Sequence, residues 1–250
     1  MTRLVLFTGK GGVGKSSTSA ATAQYWARQG FRTILVSSDP AHSTEDVLGQ
    51  PVGFKPTPIA NNFWAANINA STEAEEFFGE LQNLMQDSFS KLMPGVDADM
   101  FTDWFNFPGM DEVFALKKIL NLIVGSEYDL IVFDTAPTGH TLKALTCPEA
   151  IEGFILRILR MRAKVMNLKG FMMRRTDDLN PFVEFLENTR NLMLRIRELI
   201  RNPTHVQVNL VSIPTEAGYQ ECQRTIKFLK GLDIDVANVV INNLVPAFDE

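Results

Sequence analysis

The sequence predicts an α/β fold, with helices on both faces of a doubly wound, mostly parallel β-sheet. Six strand-like runs recur along the 250 residues and read RLVLFTG, FRTILVSSD, FWAANIN, YDLIVFDT, HVQVNLVSI and ANVVINNL. Because the runs are apolar at consecutive positions, each strand is expected to be covered on both faces. Such runs are missing from about 72–120 and 148–202, so we expect one domain over residues 1–250 with helical insertions there.

A glycine-rich loop follows the first run. Residues 7–17 read FTGKGGVGKSS, and Gly9, Gly14, Lys15 and Ser16 satisfy the pattern G-x-x-x-x-G-K-[ST] between a strand and a helix-compatible segment. Such a loop wraps backbone N–H groups around a polyphosphate, and the helix N-terminus behind it adds partial positive charge. An ordinary glycine-rich turn is the alternative. The expected nucleotide-binding residues are Gly9, Gly11, Gly12, Val13, Gly14, Lys15, Ser16 and Ser17.

Two later strands each end in an aspartate. SSDPAHS places Asp39, and FDTAPTGHT places Asp134, at the carboxyl edge where a doubly wound sheet binds ligands. Asp39 could orient or accept a proton from an attacking water, Asp134 could hold a Mg²⁺-bound water, and 135–140 would form a mobile loop that senses the γ-phosphate. A single such aspartate is often only a helix cap. His42 and His140 lack a second ligand at regular spacing, so we expect structural or loop-orienting roles for them.

Composition narrows the function classes. The net charge of −5 gives no global support for a nucleic-acid groove, so no nucleic-acid partner is expected. The sequence contains neither a run of about 18 apolar residues nor a charged-then-apolar leader, which predicts a cytoplasmic protein. Cys147 and Cys222 are far apart and are expected to be reduced structural thiols.

Three motifs together resemble a known family. In order and spacing, GKGGVGKSS, DPAHS and DTAPTGHTLK are similar to the phosphate loop, switch I and switch II of the arsenite-pump ATPase family, and the similarity runs from residue 1 to the end. These are deviant phosphate-loop ATPases, and some members target tail-anchored membrane proteins. The resemblance implies a homodimer in which Lys10 crosses the interface to the partner's nucleotide, like an arginine finger. The alternative for Lys10 is a solvated surface lysine.

The resemblance also implies the remaining roles at the site. Lys15 would reach the β- and γ-phosphates of ATP, and Ser16 would hold Mg²⁺ with the support of Asp134. Asp39 would position the hydrolytic water. Asn242 matches the residue that reads adenine, since an amide can donate and accept, and the neighbouring Asn243 leaves that assignment open by one residue.

Two departures from the family pattern stand out. Ser43 occupies a switch I position where Asn is common in the family, and its shorter side chain could weaken the contact that Asn makes. Targeting members also usually carry a CxxC, binding zinc at the dimer interface, shortly after the strand that ends near Asn242. We therefore expect interfacial zinc only if such a motif exists beyond Glu250, and a missing C-terminal part is favoured over a member without it.

The insertions carry apolar stripes at helical spacing. One stripe consists of Ile151, Phe154, Ile158, Met161, Val165, Leu168 and Met172, with basic residues around it, and another of Phe78, Leu81, Met85, Phe89 and Leu92. A third helix is expected from an N-cap at Asn180, with Pro181 in its first turn, to about Ile200. Such stripes usually bury against a sheet. Flexible thioethers instead suit a surface for varied apolar ligands, and methionines are enriched there at Met93, Met100, Met110, Met161, Met166, Met172 and Met173.

The favoured function is a Mg²⁺-dependent ATPase whose nucleotide state opens and closes a hydrophobic helical groove for targeting tail-anchored membrane proteins. Its expected partners are a second copy and the transmembrane segments of clients, with a membrane receptor left open. One alternative is the energising subunit of an arsenite efflux pump, which needs thiols arranged for trivalent arsenic. The other is a partitioning or Min-type surface ATPase, which needs a membrane helix or a basic DNA surface.

Overall fold

The computed structural model describes residues 2–39, 43–92, 110–135 and 180–244, together with the single positions 153, 156 and 160. In chain order the elements are β1 (Arg3–Thr8), α1 (Lys15–Arg28), β2 (Thr33–Ser37), α2 (Ser43–Leu48), β3 (Thr57–Ala60), β4 (Phe63–Asn67), α3 (Ala70–Leu92), α4 (Met110–Gly125), β5 (Leu130–Asp134), α5 (Asn180–Arg201), β6 (Val206–Ser212), α6 (Glu216–Lys230) and β7 (Val236–Ile241).

The seven strands form one sheet in the order β3-β4-β2-β5-β1-β6-β7. All neighbours are parallel except β3 and β4. The predicted α/β class and mostly parallel sheet are confirmed, and the six predicted runs form β1, β2, β4, β5, β6 and β7. The strand β3, a four-residue edge strand that contains Pro58, was not predicted from the sequence. Proline is tolerated at such an edge because the missing N–H has no ladder partner to lose.

Alternate residues of the central strands face two separate apolar layers. Leu4, Leu6, Ile34, Val36, Ile131 and Phe133 pack with α3, α4 and α5. The residues between them, Val5, Phe7, Leu35 and Val132, pack with alanines of α1. Helices therefore cover both faces, which is why the strands are apolar at consecutive positions.

The helices α3, α4 and α5 pack together over one face of the sheet. Phe77 of α3 has ring-centroid distances of 5.3 Å to Phe114 of α4 and 5.0 Å to Phe185 of α5. In the predicted α3 stripe, Leu81 is only 2% exposed and belongs to the core. That residue therefore follows the ordinary alternative of burial against the fold rather than forming a free surface.

Several predictions fall outside the described residues. These include the stripe from Ile151 to Met172, the side chains of Met85, Phe89 and Leu92, the capping side chain of Asn180, and Cys147. At 153, 156 and 160 the chain is helical and exposed, at spacings that place these positions on one face. The division into a sheet domain with insertions at 72–120 and 148–202 stays a prediction. Among the described helices, none is both long and apolar enough to cross a membrane.

Candidate active site

The site lies at the carboxyl ends of β2, β5 and β1, which are neighbours in the sheet. Asp134 ends β5 and lies in register with Phe7 of β1 and Ser37 of β2. The glycine-rich loop leaves β1 just above this level. Parallel order thus brings together residues that are far apart in sequence.

Glycine is required at two points of the loop. Gly9 has a φ of 148°, and a side chain there would collide with the Val211 carbonyl of β6. Gly14 has a φ of 90° and forms the left-handed N-cap of α1, where a side chain would collide with the Asn242 amide. The loop can pass this close to β6 and Asn242 only because both positions lack a side chain.

Lys15 begins α1, and its side chain points back over the loop. It is 6% exposed, and its Nζ donates a hydrogen bond to the Lys10 carbonyl at 3.1 Å. Burial lowers the Lys15 pKa, while the charges of Asp134 and Asp39 act in the opposite direction. The predicted lysine and both predicted carboxylates therefore share one electrostatic environment.

Asp134 is fully buried, and neither carboxylate oxygen completes a hydrogen bond among the described residues. Burial raises its pKa to about 6, an effect to which the Asp39 charge adds. The Ser16 hydroxyl and the Lys15 charge lower that pKa in part. The hydroxyl thus approaches Asp134 without satisfying it.

A divalent cation fits this pair of residues. Mg²⁺ prefers hard oxygen ligands and is usually held by one or two protein groups together with phosphate oxygens. The groups that could hold it are Ser16 and Asp134, whose carboxylate oxygens complete no hydrogen bond among the described residues. Among the described residues no cluster of three or more His, Cys, Asp or Glu could hold a metal alone.

Asp39 lies two residues beyond β2 and is half-buried. Its backbone N–H donates to the Ser37 hydroxyl at 3.2 Å. Downstream, α2 is tied to the sheet by Asn67, whose amide donates to the Glu45 carboxylate at 3.3 Å and to the Val52 carbonyl at 2.9 Å. Asn67 was not predicted from the sequence, although a polar residue at the end of an apolar strand was a signal for it. His42 and the Ser43 side chain lie outside the described residues.

The first residue of the predicted switch II loop, Thr135, is buried. Thr135 is 1% exposed, and both its backbone N–H and its hydroxyl donate to the Phe7 carbonyl, at 3.3 Å and 2.9 Å. These two hydrogen bonds attach the first residue of the loop to β1. Residues 136–140, with His140, lie outside the described part.

The two remaining predicted site residues, Lys10 and Asn242, differ in exposure and in their contacts with the loop. Lys10 is exposed and makes no ion pair among the described residues. Asn242 is half-buried just beyond β7, and its Nδ2 donates to the Val13 carbonyl at 3.0 Å. Asn243 is exposed. The trans role of Lys10 and the reading of adenine by Asn242 stay predictions.

Comparison with known proteins decides the family. The profile of the anion-transporting ATPases matches residues 2–250. The chain belongs to this family. ATPase chemistry, expected from the loop and the two aspartates, agrees with that membership.

The relatives of this chain carry two kinds of name. It is 30% identical over 247 residues to ATPase ASNA1 homolog 1 of Paramecium tetraurelia, which covers 95% of this chain and 73% of the relative. It is 32% identical over 259 residues to ATPase GET3B of Arabidopsis thaliana, covering 95% and 63%. It is also 30% identical over 252 residues, covering 98% and 62%, to a Chlorobaculum tepidum protein provisionally named arsenical pump-driving ATPase. The chain thus spans 62% to 73% of the length of these three relatives.

We expect Asp134→Asn to stabilise the ligand-free protein at neutral pH. A carboxyl pKa raised from 3.8 to about 6 gives stability that is present below 3.8 and lost as the pH rises through 6. Removing the charge should raise the free energy of unfolding by at most about 3 kcal/mol at pH 7.5 and about 1 kcal/mol at pH 4.5. The cost of burying the amide reduces both gains. Urea unfolding in EDTA at both pH values measures this.

Asp129→Asn is the control. The Arg32 guanidinium bonded to Asp129 lowers the pKa of that carboxyl, so the charged form is favoured and its removal should give no gain at pH 7.5. The cost of burying the amide does not depend on pH, so an Asp134→Asn protein whose gain over wild type is no larger at pH 7.5 than at pH 4.5 would contradict the raised pKa of Asp134.

Proposed function

We propose that this protein is a cytoplasmic, homodimeric, Mg²⁺-dependent ATPase that uses ATP to open and close a hydrophobic groove for the transmembrane segments of tail-anchored proteins. The buried Lys15 ammonium beside Asp39 and Asp134, over a glycine loop at a helix N-terminus, is the observation that carries the ATPase chemistry. The ASNA1 and GET3B names of its relatives support the targeting branch.

The reaction is an in-line attack of water on the γ-phosphorus. A new P–O bond forms to the water oxygen, the bond to the β-phosphate oxygen breaks, and ADP leaves. Lys15 and the loop N–H groups bind the phosphates, and Asp39 orients the water and accepts its proton. Mg²⁺, when bound by Ser16 and Asp134, supplies positive charge to the phosphate oxygens.

We expect Asp39→Asn to lower ATP turnover about a hundredfold while leaving ATP affinity nearly intact. Loss of one group that acts mainly in the transition state is commonly worth about 3 kcal/mol. Steady-state hydrolysis and equilibrium binding measure the two effects. Asp46→Asn, an exposed aspartate on α2, is the matched control and should behave as wild type. Wild-type turnover in Asp39→Asn would falsify the role of Asp39.

Lys10→Ala is expected to lose hydrolysis and to regain it in mixed dimers. Lys10 is exposed, whereas Lys15 is buried over its own loop, so Lys10 is free to reach a partner. In a heterodimer of Lys10→Ala with Asp39→Asn, the first subunit keeps its own Asp39 and receives an intact Lys10. Random mixing of equal amounts should therefore restore about a quarter of wild-type activity.

Lys15→Ala mixed with Asp39→Asn is the control for this experiment. Lys15 acts on its own subunit's nucleotide, so neither site of that heterodimer is complete and no activity should return. If Lys10→Ala also fails to recover, Lys10 does not act in trans.

The helices α3, α4 and α5 supply a partly apolar cleft for the client proposal. The cleft has a volume of about 410 Å³ and is lined in part by Phe77, Phe114 and Phe185 and in part by charged side chains such as Glu76 and Lys117. A transmembrane helix is about 30 Å long, so this cleft alone could take only a few side chains. The proposed groove therefore also uses the methionine-rich stripe of residues 151–172, which lies outside the described residues.

Replacing Met161 and Met172 together by Asp should abolish capture of a tail-anchored client and spare basal ATP hydrolysis. Capture would depend on buried apolar area, at roughly 25 cal/mol per Å², and two charges oppose it. Co-purification with a tail-anchor peptide, circular dichroism and an ATPase assay measure the outcome. Phe54→Asp, at an aromatic residue 64% exposed outside these helices, is the control and should still capture the client.

A folded, active Met161→Asp/Met172→Asp protein that still captures the client would remove the groove. An unfolded one would place both methionines in the core.

The arsenical pump-driving name of the Chlorobaculum tepidum relative favours a second candidate. Trivalent arsenic requires clustered thiols, and the one cysteine of the described part, Cys222, is buried. Stimulation of ATP hydrolysis by arsenite would favour the pump, whereas the targeting proposal expects no stimulation.

A further inference from the structure

We propose that Asn242 is a positioning residue for the phosphate loop, holding the Val13–Gly14 peptide in the orientation that phosphate binding requires. This inference rests on the proposed nucleotide binding and adds a role that the prediction of an adenine-reading Asn242 did not contain. The juxtaposition joins residues 229 positions apart in the chain.

Three contacts fix Asn242 against the loop. Its backbone N–H donates to the Ser212 carbonyl of β6 at 2.7 Å, which anchors it to the end of the sheet. Its Nδ2 donates to the Val13 carbonyl at 3.0 Å. The amide also fills the space where a side chain on residue 14 would stand. The orientation of the amide follows from chemistry, because a carbonyl can only accept.

The bond to Val13 sets the direction of the next N–H group. In a trans peptide the C=O and the following N–H point in opposite directions. With the Val13 carbonyl drawn toward β7, the Gly14 N–H is turned away from β7. The sheet order places β1, β5 and β2 on that other side, where the Lys15 ammonium lies in the field of Asp134 and Asp39.

The loop therefore presents the Gly14 N–H toward the predicted phosphate position before any ligand arrives. Gly14 has a φ of 90°, a conformation that glycine can leave easily. An external hydrogen bond is what keeps this peptide from turning over. Loss of that bond should weaken every ligand that binds through phosphates, whether or not it carries a base.

Inorganic tripolyphosphate separates this role from base reading, because it has phosphates and no adenine. Dissociation constants of ATP and of tripolyphosphate, both with Mg²⁺, are measured by calorimetry for wild type, Asn242→Ala and the nearly isosteric Asn242→Leu. We expect both variants to bind both ligands about tenfold more weakly, which is the usual loss for one hydrogen bond. KM for ATP should rise by a similar factor, with kcat within about twofold of wild type.

Leu244→Ala is the matched control. Leu244 lies two residues beyond Asn242 and is 68% exposed, so both affinities should stay at the wild-type values. Asn242→Leu keeps the volume of the side chain, so it serves if Asn242→Ala does not fold.

Unchanged tripolyphosphate affinity in the Asn242 variants overturns the inference, and a loss confined to ATP assigns Asn242 to adenine instead. A fall in melting temperature and kcat with an unchanged KM also overturns it, because Asn242 would then act only in packing. A wild-type protein that binds neither ligand refutes the proposed nucleotide binding itself, a result distinct from the other two.

Discussion

The burial of the Lys15 ammonium over the carboxyl ends of three adjacent parallel strands is the interaction on which the rest of the site depends. A buried cation loses hydration and must be compensated by nearby negative charge or by carbonyl oxygens. Here the Lys10 carbonyl accepts a hydrogen bond from the Lys15 Nζ, and the charges of Asp134 and Asp39 act on the ammonium through space. In the sheet order β2-β5-β1, Asp134 comes from β5, the strand next to β1, and Asp39 follows β2, the strand beyond it.

The same arrangement leaves the site unfavourable without a ligand. Burial raises the pKa of Asp134 to about 6, and within the described part of the chain neither of its oxygens completes a hydrogen bond. Such a group is poorly placed for stability and well placed for a cation, since binding would remove the cost of its charge. Buried polar groups are usually hydrogen-bonded, and an exception such as Asp134 is expected at a functional site.

Three polar side chains link the loops of the site to neighbouring strands. Thr135 is bonded to Phe7 and Asn242 to Val13, while Asn67 holds α2 through Glu45. The bonds of Thr135 and Asn242 join residues 128 and 229 positions apart in the chain, and the bond of Asn67 joins β4 to α2. The helices α3, α4 and α5 pack directly on one face of the same sheet. The proposed coupling of ATP to a client groove would act through this sheet.

The sequence by itself determined the features that depend on local pattern. The phosphate loop was readable because its glycines and Lys15 occur at fixed spacing, and six strands were readable because they are apolar over consecutive residues. β3 was not, since four residues that include Pro58 carry no strand signal. Only the tertiary structure decided the order of the strands and the burial that raises the pKa of Asp134. It also decided the two hydrogen bonds from Thr135 to the Phe7 carbonyl and the contact of Asn242 with Val13. The physical reason is that each of these depends on desolvation or hydrogen bonding between segments that meet only when parallel strands align, and no local spacing encodes such a meeting.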